Sequence, residues 1–393
     1  MSKISDLIAK LCPNGVEYLT LRDCLTTISN VKWRECKGKQ YRYIDLSSVN
    51  RDTHQIEETV LIDEGNAPSR AQQIVKADDI ILGTTRPMLK RYCRIPKEFD
   101  GQICSTGFCV LRANDKALSG WLLHNISSSR FFDYVEKHQK GASYPAISDA
   151  EVLNFILPVP PLELQREVVE VLDKFALLTA ELTAELEKRK KQYEHYRRVL
   201  LAEGNREQGI GNRCGVSNWP MVKLGEVCGS VSPSVKIKRL DYRETGLTPI
   251  VSQEIEYISG YCDLSDDKIP AGEYVCFGDH SEHIKYVNFA FVQGADGLKI
   301  LKAKGGRVMA KFLYYVALAY YQRHDNYERH FKYFSETLVP LPPLAEQERI
   351  VKILDRFDKL CNDLTSGLPA EIAARKKQYE YYRDKLLSFK RAG

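Results

Sequence analysis

A strong charge bias is missing from this chain. Its 57 Lys and Arg against 52 Asp and Glu leave a net charge of only +5, short of the basic balance that marks a nucleic-acid binder by composition alone. Any contact with a polyanion must come from local clusters. Eleven cysteines occur, but none is spaced Cys-x-x-Cys and no Cys/His set has zinc-finger spacing, so neither a structural zinc module nor a dithiol redox motif is expected. Unframed thiols fit a reducing cytoplasm. No apolar run reaches the roughly 20 residues of a membrane helix, and the opening MSKISDLIAKLC lacks an apolar signal region. The expectation is a soluble cytoplasmic protein without a membrane partner.

Catalytic signatures are missing too. No GxxxxGK[ST] phosphate loop is present, which excludes a P-loop motor within the chain. Neither a glycine-rich cofactor loop nor an Asn/Asp-Pro-Pro-Tyr/Phe string occurs. Asp23 followed by Glu35-Cys36-Lys37 imitates the spacing of an acidic nuclease site, but so short a match is expected by chance. Asp279, His280, Glu282 and His283 are possible metal ligands; without a further ligand at fixed spacing they read as a polar loop tip. No catalytic residue, no metal and no cofactor of the chain's own are expected.

What is present is a long internal repeat. RKKQYEHYR at 189–197 returns as RKKQYEYYR at 375–383, differing only at His195 against Tyr381. Upstream, LPVPPLELQREVVEVLDKF (157–175) aligns without gaps with VPLPPLAEQERIVKILDRF (339–357), pairing Gln165 with Gln347 and Asp173 with Asp355. The offset is 182 there and 186 at the nonapeptide, so the second copy carries four extra residues. CPNGVEYLTLRDC near the start is echoed by GNRCGVSNWPMVKLGEVC from residue 211. Repetition at this scale organises the chain as A–B–A′–B′: a globular segment at 1–155, a helix at 156–204, a second globular segment at 205–335 and a second helix at 336–393.

Segment B places Val168, Leu172, Phe175, Thr179, Leu182, Leu186, Arg189, Tyr193, Tyr196 and Leu200 at alternating steps of four and three, which is a coiled-coil seam. Pro160-Pro161 precedes its start and Gly204 follows its end. About forty residues at 1.5 Å each give a rod of roughly 60 Å. B′ repeats the seam as Ile350, Leu354, Phe357, Cys361, Leu364 and Leu368, and resumes as Ile372, Arg375, Tyr379, Tyr382 and Leu386. The four-residue insertion is a stutter, and Gly367 and Pro369 predict a kink or break there. Two matched copies predict an antiparallel pair. A and A′ diverge in sequence, but each reads as strand-rich with one late helix: strands at ADDIILGTT, GQICSTGFCVLR, GEYVCFGDH and YVNFAFVQG, helices at LSGWLLHNISSSRFFDYVEK and VMAKFLYYVALAYYQR.

The doubled proline–glutamine blocks, the two RKKQYE(H/Y)YR helices and IPKEFDGQICSTGFCVLR (95–112) resemble the specificity subunits of type I restriction–modification systems (HsdS), the EcoR124-like branch above all. The resemblance implies an α+β chain: two mixed, strand-rich target-recognition domains separated by two long antiparallel coiled-coil helices, with an internal pseudo-twofold repeat. It implies a non-catalytic subunit whose domains read the halves of a bipartite target in double-stranded DNA. The helices would set the spacing and dock two methyltransferase (HsdM) subunits, with restriction (HsdR) subunits joining through the complex. S-adenosylmethionine and ATP belong to those partners. Half-sites on one duplex face need a fixed separation. Two other readings stay open: a specificity subunit of a methylation-only or related system without a motor nuclease, and a coiled-coil scaffold that never touches DNA.

Under this reading, Lys and Arg meet phosphates and a few side chains meet base edges. Segment A offers Lys32, Arg34, Lys37, Lys39 and Arg42 in one cluster, and Arg86, Lys90, Arg91, Arg94 and Lys97 in another, with Trp33, Tyr41, Tyr43 and Tyr92 among them. The family often has a DNA-facing glycine loop before the proline block, which nominates Lys140, Ser143 and Tyr144 in HQKGASYPAIS. The corresponding stretch of A′, 323–335, lacks the glycine but carries Arg323, Arg329, His330 and Lys332. Lys236, Lys238 and Arg239 form the early cluster of A′, and Gln253, His280, Ser281 and His283 are candidate base readers at loop tips. The basic run 299–311 reads as a solvated connection. The nonapeptides either dock a partner or pack one helix on the other.

Overall fold

The structure is a computed structural model that describes residues 2–202, 219–324, 326–363 and 365–392. The expected helix stop at Gly204, the restart at 211–218 and the seam position Leu364 lie outside the described residues. The chain divides into two compact units, residues 1–184 with 370–393, and residues 185–369. These units do not follow chain order, because each takes helix from both B and B′.

In the first unit, Ile80–Gly83 is buried throughout, as a short uninterrupted apolar run predicts for an inner strand. It lies in a four-stranded sheet ordered Leu25–Thr26, Phe108–Ala113, Ile80–Gly83, Tyr92–Arg94. A second sheet runs Val60–Ile62, Tyr41–Ile44, Ile103–Ser105, Ala71–Ile74, with Tyr41–Ile44 and Ile103–Ser105 parallel. GQICSTGFCVLR therefore supplies one strand to each sheet rather than a pair to one. A two-residue turn at Thr106-Gly107 carries the chain across.

The second unit repeats this plan without repeating the sequence. Its larger sheet runs Cys228–Val231, Leu298–Ala303, Tyr274–Gly278, Ile284–Val287; its smaller one runs Gly260–Cys262, Thr248–Val251, Val292–Gln293, the last two parallel. Each unit also closes on a short antiparallel ladder: Glu17–Thr20 with Ile156–Val159 in the first, Met221–Lys223 with Leu338–Pro340 in the second. The single late helix expected for each segment is two helices. In the first unit they are Ser119–Ile126 and Ser129–His138, divided where the Ser128 hydroxyl accepts from the amide of Phe131 and caps the second helix. In the second they are Ala310–Tyr320 and Phe331–Glu336.

The repeated glutamine explains why the proline blocks recur. Gln165 is fully buried; its Oε1 accepts from the amide of Leu118 at 2.9 Å and its Nε2 donates to Lys116 O and Pro160 O. Gln347, also fully buried, accepts from Met309 N at 2.8 Å and donates to Arg307 O and Pro342 O. Each side chain ties the first turn of a long helix to the backbone entering a domain helix. About two turns deeper, Asp173 bonds His124 Nε2 at 2.8 Å, and Asp355 accepts from the Tyr315 hydroxyl. Burial pushes the His124 imidazole below its ordinary range, opposing the pull of Asp173.

Segment B is one helix, Leu162–Ala202, of 41 residues, as its seam predicts. Among the described seam residues all are buried or half-buried except Tyr196, and one face of that ring stacks on Phe357 at 5.3 Å. B′ is two helices, Leu344–Asn362 and Leu368–Leu386, so the expected kink is a full break. The Asp363 carboxylate accepts from the hydroxyls of Ser366 and Thr365 and from their amides, which holds that carboxyl well below the usual carboxylate range. A Cβ at Gly367 would stand 2.5 Å from the carbonyl of Lys359, so this turn admits only glycine. Tyr193 and Tyr196 meet Phe357 in the second unit, and Phe175 meets Tyr382 in the first. Within the second unit Phe357 meets Tyr193 and Tyr196 while Cys361 lies near Lys190 and Arg189, so the two helices run antiparallel there.

The chain ends meet within the first unit. Val16 N donates to Lys390 O and Ala392 N to Val16 O, both at 2.8 Å. The segment after the last helix thus returns to Val16, next to the strand that opens A.

Replacing Gln165 by leucine strands an amide and two carbonyls in a buried site. At about 1 kcal/mol or more for each unmet group, Gln165→Leu is expected to lower stability by roughly 3 kcal/mol in urea unfolding. A loss below about 0.5 kcal/mol, the range of a neutral surface change, contradicts the clamp.

Candidate nucleic-acid interface

In the first unit the Arg86 end of the second basic cluster meets the glycine loop, whereas Arg94 faces Asp78 and Asp173. Arg86 and Lys90 flank the turn Pro87–Leu89, both in the left-handed region at φ 49° and 53°. Such backbone strain in non-glycine residues collects at functional sites. The Arg86 amide donates to Pro145 O at 2.7 Å, its guanidinium lies 4.4 Å from the Tyr144 ring centre, and Lys140 bridges Ala146. Gly141 turns the loop at φ +100°. Tyr144 is 70% exposed, and Ser143 and Lys140 are exposed beside it in the chain. A cation stacked on an exposed aromatic, on a loop held at both ends, suits a backbone phosphate next to an unstacked or groove-facing surface. Arg91 departs from the expectation. It is half-buried, so its contribution to an outer surface is limited.

The first cluster lies on a loop pinned from below. Trp33 donates its indole N–H to Ala71 O at 3.0 Å and meets Tyr41 edge-on. Lys32, Arg34, Lys37, Lys39 and Arg42 are all exposed. Lys32 pairs with Glu35 at 3.4 Å, and the Arg42 guanidinium lies 5.4 Å from the Phe99 ring centre. Arg34, Lys37 and Lys39 form no ion pair with another described residue. Asp23, the supposed nuclease carboxylate, instead caps a turn by bonding Thr20, and it is not grouped with Glu35.

In the second unit, residues scattered over about 90 positions converge. The Gln253 side chain accepts from His280 N at 3.2 Å and donates to Asp296 O, while its carbonyl accepts from the Ser281 hydroxyl. Lys236 pairs with Asp296 at 2.8 Å and Arg239 with Glu254 at 2.9 Å. Both pairs are exposed enough to be worth little, so either cation can exchange its carboxylate for a phosphate. Arg323 donates to Ser281 O at 3.4 Å. His280 bonds Glu328 O through Nδ1 and stacks on Tyr327 at 5.2 Å. Lys238, Arg329 and Lys332 are exposed, and His283 is half-buried. Burial, helped by Arg323 and Lys285, lowers the His283 imidazole from its ordinary range.

His330 does not belong to this surface. It is fully buried, with Nδ1 3.1 Å from Asp279 O and Nε2 2.7 Å from Asn326 Oδ1, so it cannot reach a groove. Tyr327, which the sequence reading passed over, is 88% exposed; an aromatic between His324 and His330 in a polar loop was the signal. The basic run 299–311 is occupied internally: Lys299 faces Asp279, Lys304 donates to Glu226 O and Lys311 faces Asp355. The expected solvated connection is thus confined to 304–309, since Leu298–Ala303 is an inner strand of the larger sheet with Ile300 and Leu301 buried.

Gly297 stands at φ +101°, and a Cβ there would lie 2.6 Å from the Gln253 amide oxygen. Gly297→Ala is expected to displace Gln253 and lower the stability of this unit by about 1 kcal/mol or more, measured by thermal unfolding with hydrogen exchange at His280 and Ser281. Unchanged exchange there would show that Gln253 does not order the loop.

The chain compares with known proteins over nearly its whole length. The family described as Type I restriction modification DNA specificity domain matches residues 20–189 and 216–374, once per repeat. The EcoR124I/EcoR124II type I restriction enzyme specificity subunit of Escherichia coli is 34% identical over 262 residues, covering 59% of this chain and 61% of that protein; the match thus spans under two thirds of that relative. A chain solved in work on complex assembly and conformational transition of the type I R-M system superposes with a TM-score of 0.60 at 27% identity, covering 95% of this chain and 98% of that one. The type I S subunit of M. genitalium shares the fold at 13% identity, TM-score 0.60, over 95% and 96% of the two chains. With both repeats matched and the paired sheets and helices in place, the chain belongs to the type I restriction–modification DNA specificity family.

Proposed function

We propose that this protein is the DNA-reading subunit of a type I restriction–modification complex, catalysing nothing itself. Each unit reads one half of a bipartite duplex target, and the helices dock two methyltransferase subunits and set the half-site separation. S-adenosylmethionine and ATP act on the partners, restriction subunits join through the complex, and the assembly works in the cytoplasm. No helix among the described residues is long and apolar enough to cross a membrane. The observation that carries the reading is the contrast between a repeated scaffold and unrepeated loops. The sheet order recurs apart from one edge strand and the glutamine clamp recurs bond for bond, whereas the Arg86/Tyr144 surface and the Gln253/His280 surface share neither sequence nor contacts.

The nonapeptides support the docking role. Tyr193 and Tyr379 turn inward, and Arg189 and Arg375 make matching bonds to Glu185 and Gln192, and to Glu371 and Gln378. Lys191, Lys376, Lys377, His195 and Tyr381 are exposed. Half of each motif therefore packs the seam and half faces outward, where two copies of one partner can find matching surfaces.

The complex with its methyltransferase, tested on the duplex it methylates, checks this. Arg86→Glu with Lys140→Glu should weaken binding at least tenfold and reduce the dependence of log affinity on log salt by about 2, with thermal unfolding unchanged. Unaltered affinity would favour the coiled-coil scaffold. ATP-dependent cleavage of unmodified DNA by the assembled complex separates a restricting system from a methylation-only one.

A further inference from the structure

The loop tip Gly278–His283 and the histidines that follow the Ala310–Tyr320 helix meet in one cluster that the DNA reading does not use. Glu282, at φ +57°, is 3% exposed and His330 fully buried. The Glu282 carboxylate accepts from the Tyr321 hydroxyl and from the amide of His324. One of its oxygens lies 3.5 Å from His324 Nδ1 and the other 3.8 Å from His330 Nε2. The three ligand atoms all lie within 4.8 Å of one another. Around a tetrahedral zinc ion with bonds near 2.0–2.1 Å, neighbouring ligand atoms stand about 3.4 Å apart. The two carboxylate–imidazole spacings, each through a different carboxylate oxygen, stand within a few tenths of an ångström of that, and closing the widest spacing from at most 4.8 Å takes up to about 1.4 Å of movement.

His330 sits among oxygen atoms. Its two ring nitrogens face three oxygen acceptors: Asp279 O at 3.1 Å, Asn326 Oδ1 at 2.7 Å and Glu282 Oε1 at 3.8 Å. The His324 ring lies 5.5 Å from that of His330, centre to centre, with its own Nδ1 also turned to Glu282. One divalent ion among them would serve both rings and the carboxylate together. A bond from Nδ1–H to a backbone carbonyl is also how a metal-bound histidine is held with Nε2 toward the ion. Two imidazoles and a carboxylate are a borderline donor set suited to zinc.

We propose that Glu282, His324 and His330 bind one zinc-class divalent ion, with Asn326 or water completing the shell. The ion staples the loop tip carrying His280 and Ser281 to the segment carrying Arg323 and Arg329. It is not the Asp279–His280–Glu282–His283 set that the sequence offers: Asp279 is engaged by Phe331 N and Lys299, and His280 turns to Glu328. Metal binding stands whether or not the unit reads DNA, so the two claims fail separately.

The test uses the full-length protein, stripped with a chelator and titrated with Co2+ and then Zn2+. One equivalent of Co2+ should give the intense visible absorption of a tetrahedral site, and Zn2+ should displace it and raise the unfolding temperature. His324→Ala alters an exposed side chain and leaves the buried Glu282–His330 contact in place. It should lose the absorption, weaken Zn2+ binding at least about 100-fold and lose the thermal shift, while His138→Ala retains all three. If the wild type takes up neither ion, the proposal falls. It falls equally if His324→Ala binds as the wild type does.

Discussion

Two glutamine side chains hold this architecture together. Gln165 and Gln347 each spend three hydrogen bonds, in fully buried positions, joining the first turn of a long helix to the chain entering a domain helix. The prolines beside them lose nothing by lacking an N–H at a helix start. Their carbonyls become acceptors for the glutamine amide. With the helix start fixed in this way, Asp173 falls opposite His124 and Asp355 opposite Tyr315, and the seams of B and B′ face each other. A site built on these helices inherits its geometry from the clamp.

The seam, the break at Gly367 and the duplication were legible in the sequence because each rests on local rules: heptad spacing, glycine and proline punctuation, and literal identity. The glutamine was visible as a repeated letter, but its partners at residues 116–118 and 307–309 were not, since backbone groups leave no trace in a side-chain pattern. The matching sheet order of A and A′ was hidden for a related reason. Strand pairing depends on which buried runs meet, and Ile103–Ser105 and Phe108–Ala113, adjacent in sequence, separate into two sheets.

Of the interface, the exposed cations were readable from clustering alone. What could not be read was engagement. Lys299, Lys304 and Lys311 look as basic as Lys37 and Lys39, yet they are drawn to Asp279, Glu226 and Asp355. His330 looked like a donor for a groove and is buried beneath Asp279 and Asn326. A cation's role is decided by the acceptors that folding brings to it, and those come from elements far away in the chain. The contrast has a functional reading: the clamp and the seam pattern recur in both halves, whereas the loops they carry differ.

That separation of scaffold from reader is most directly measured by exchange of one recognition segment. The ladder Glu17–Thr20 with Ile156–Val159 closes segment A on itself, so residues 20–155 can be replaced from another family member while the clamp and both helices stay. Methylome sequencing of cells expressing each version with its methyltransferase reports the target. The account predicts a bipartite motif in which one half changes and the other half and the spacing between them stay the same. Alteration of both halves, or methylation at no bipartite motif, would contradict it.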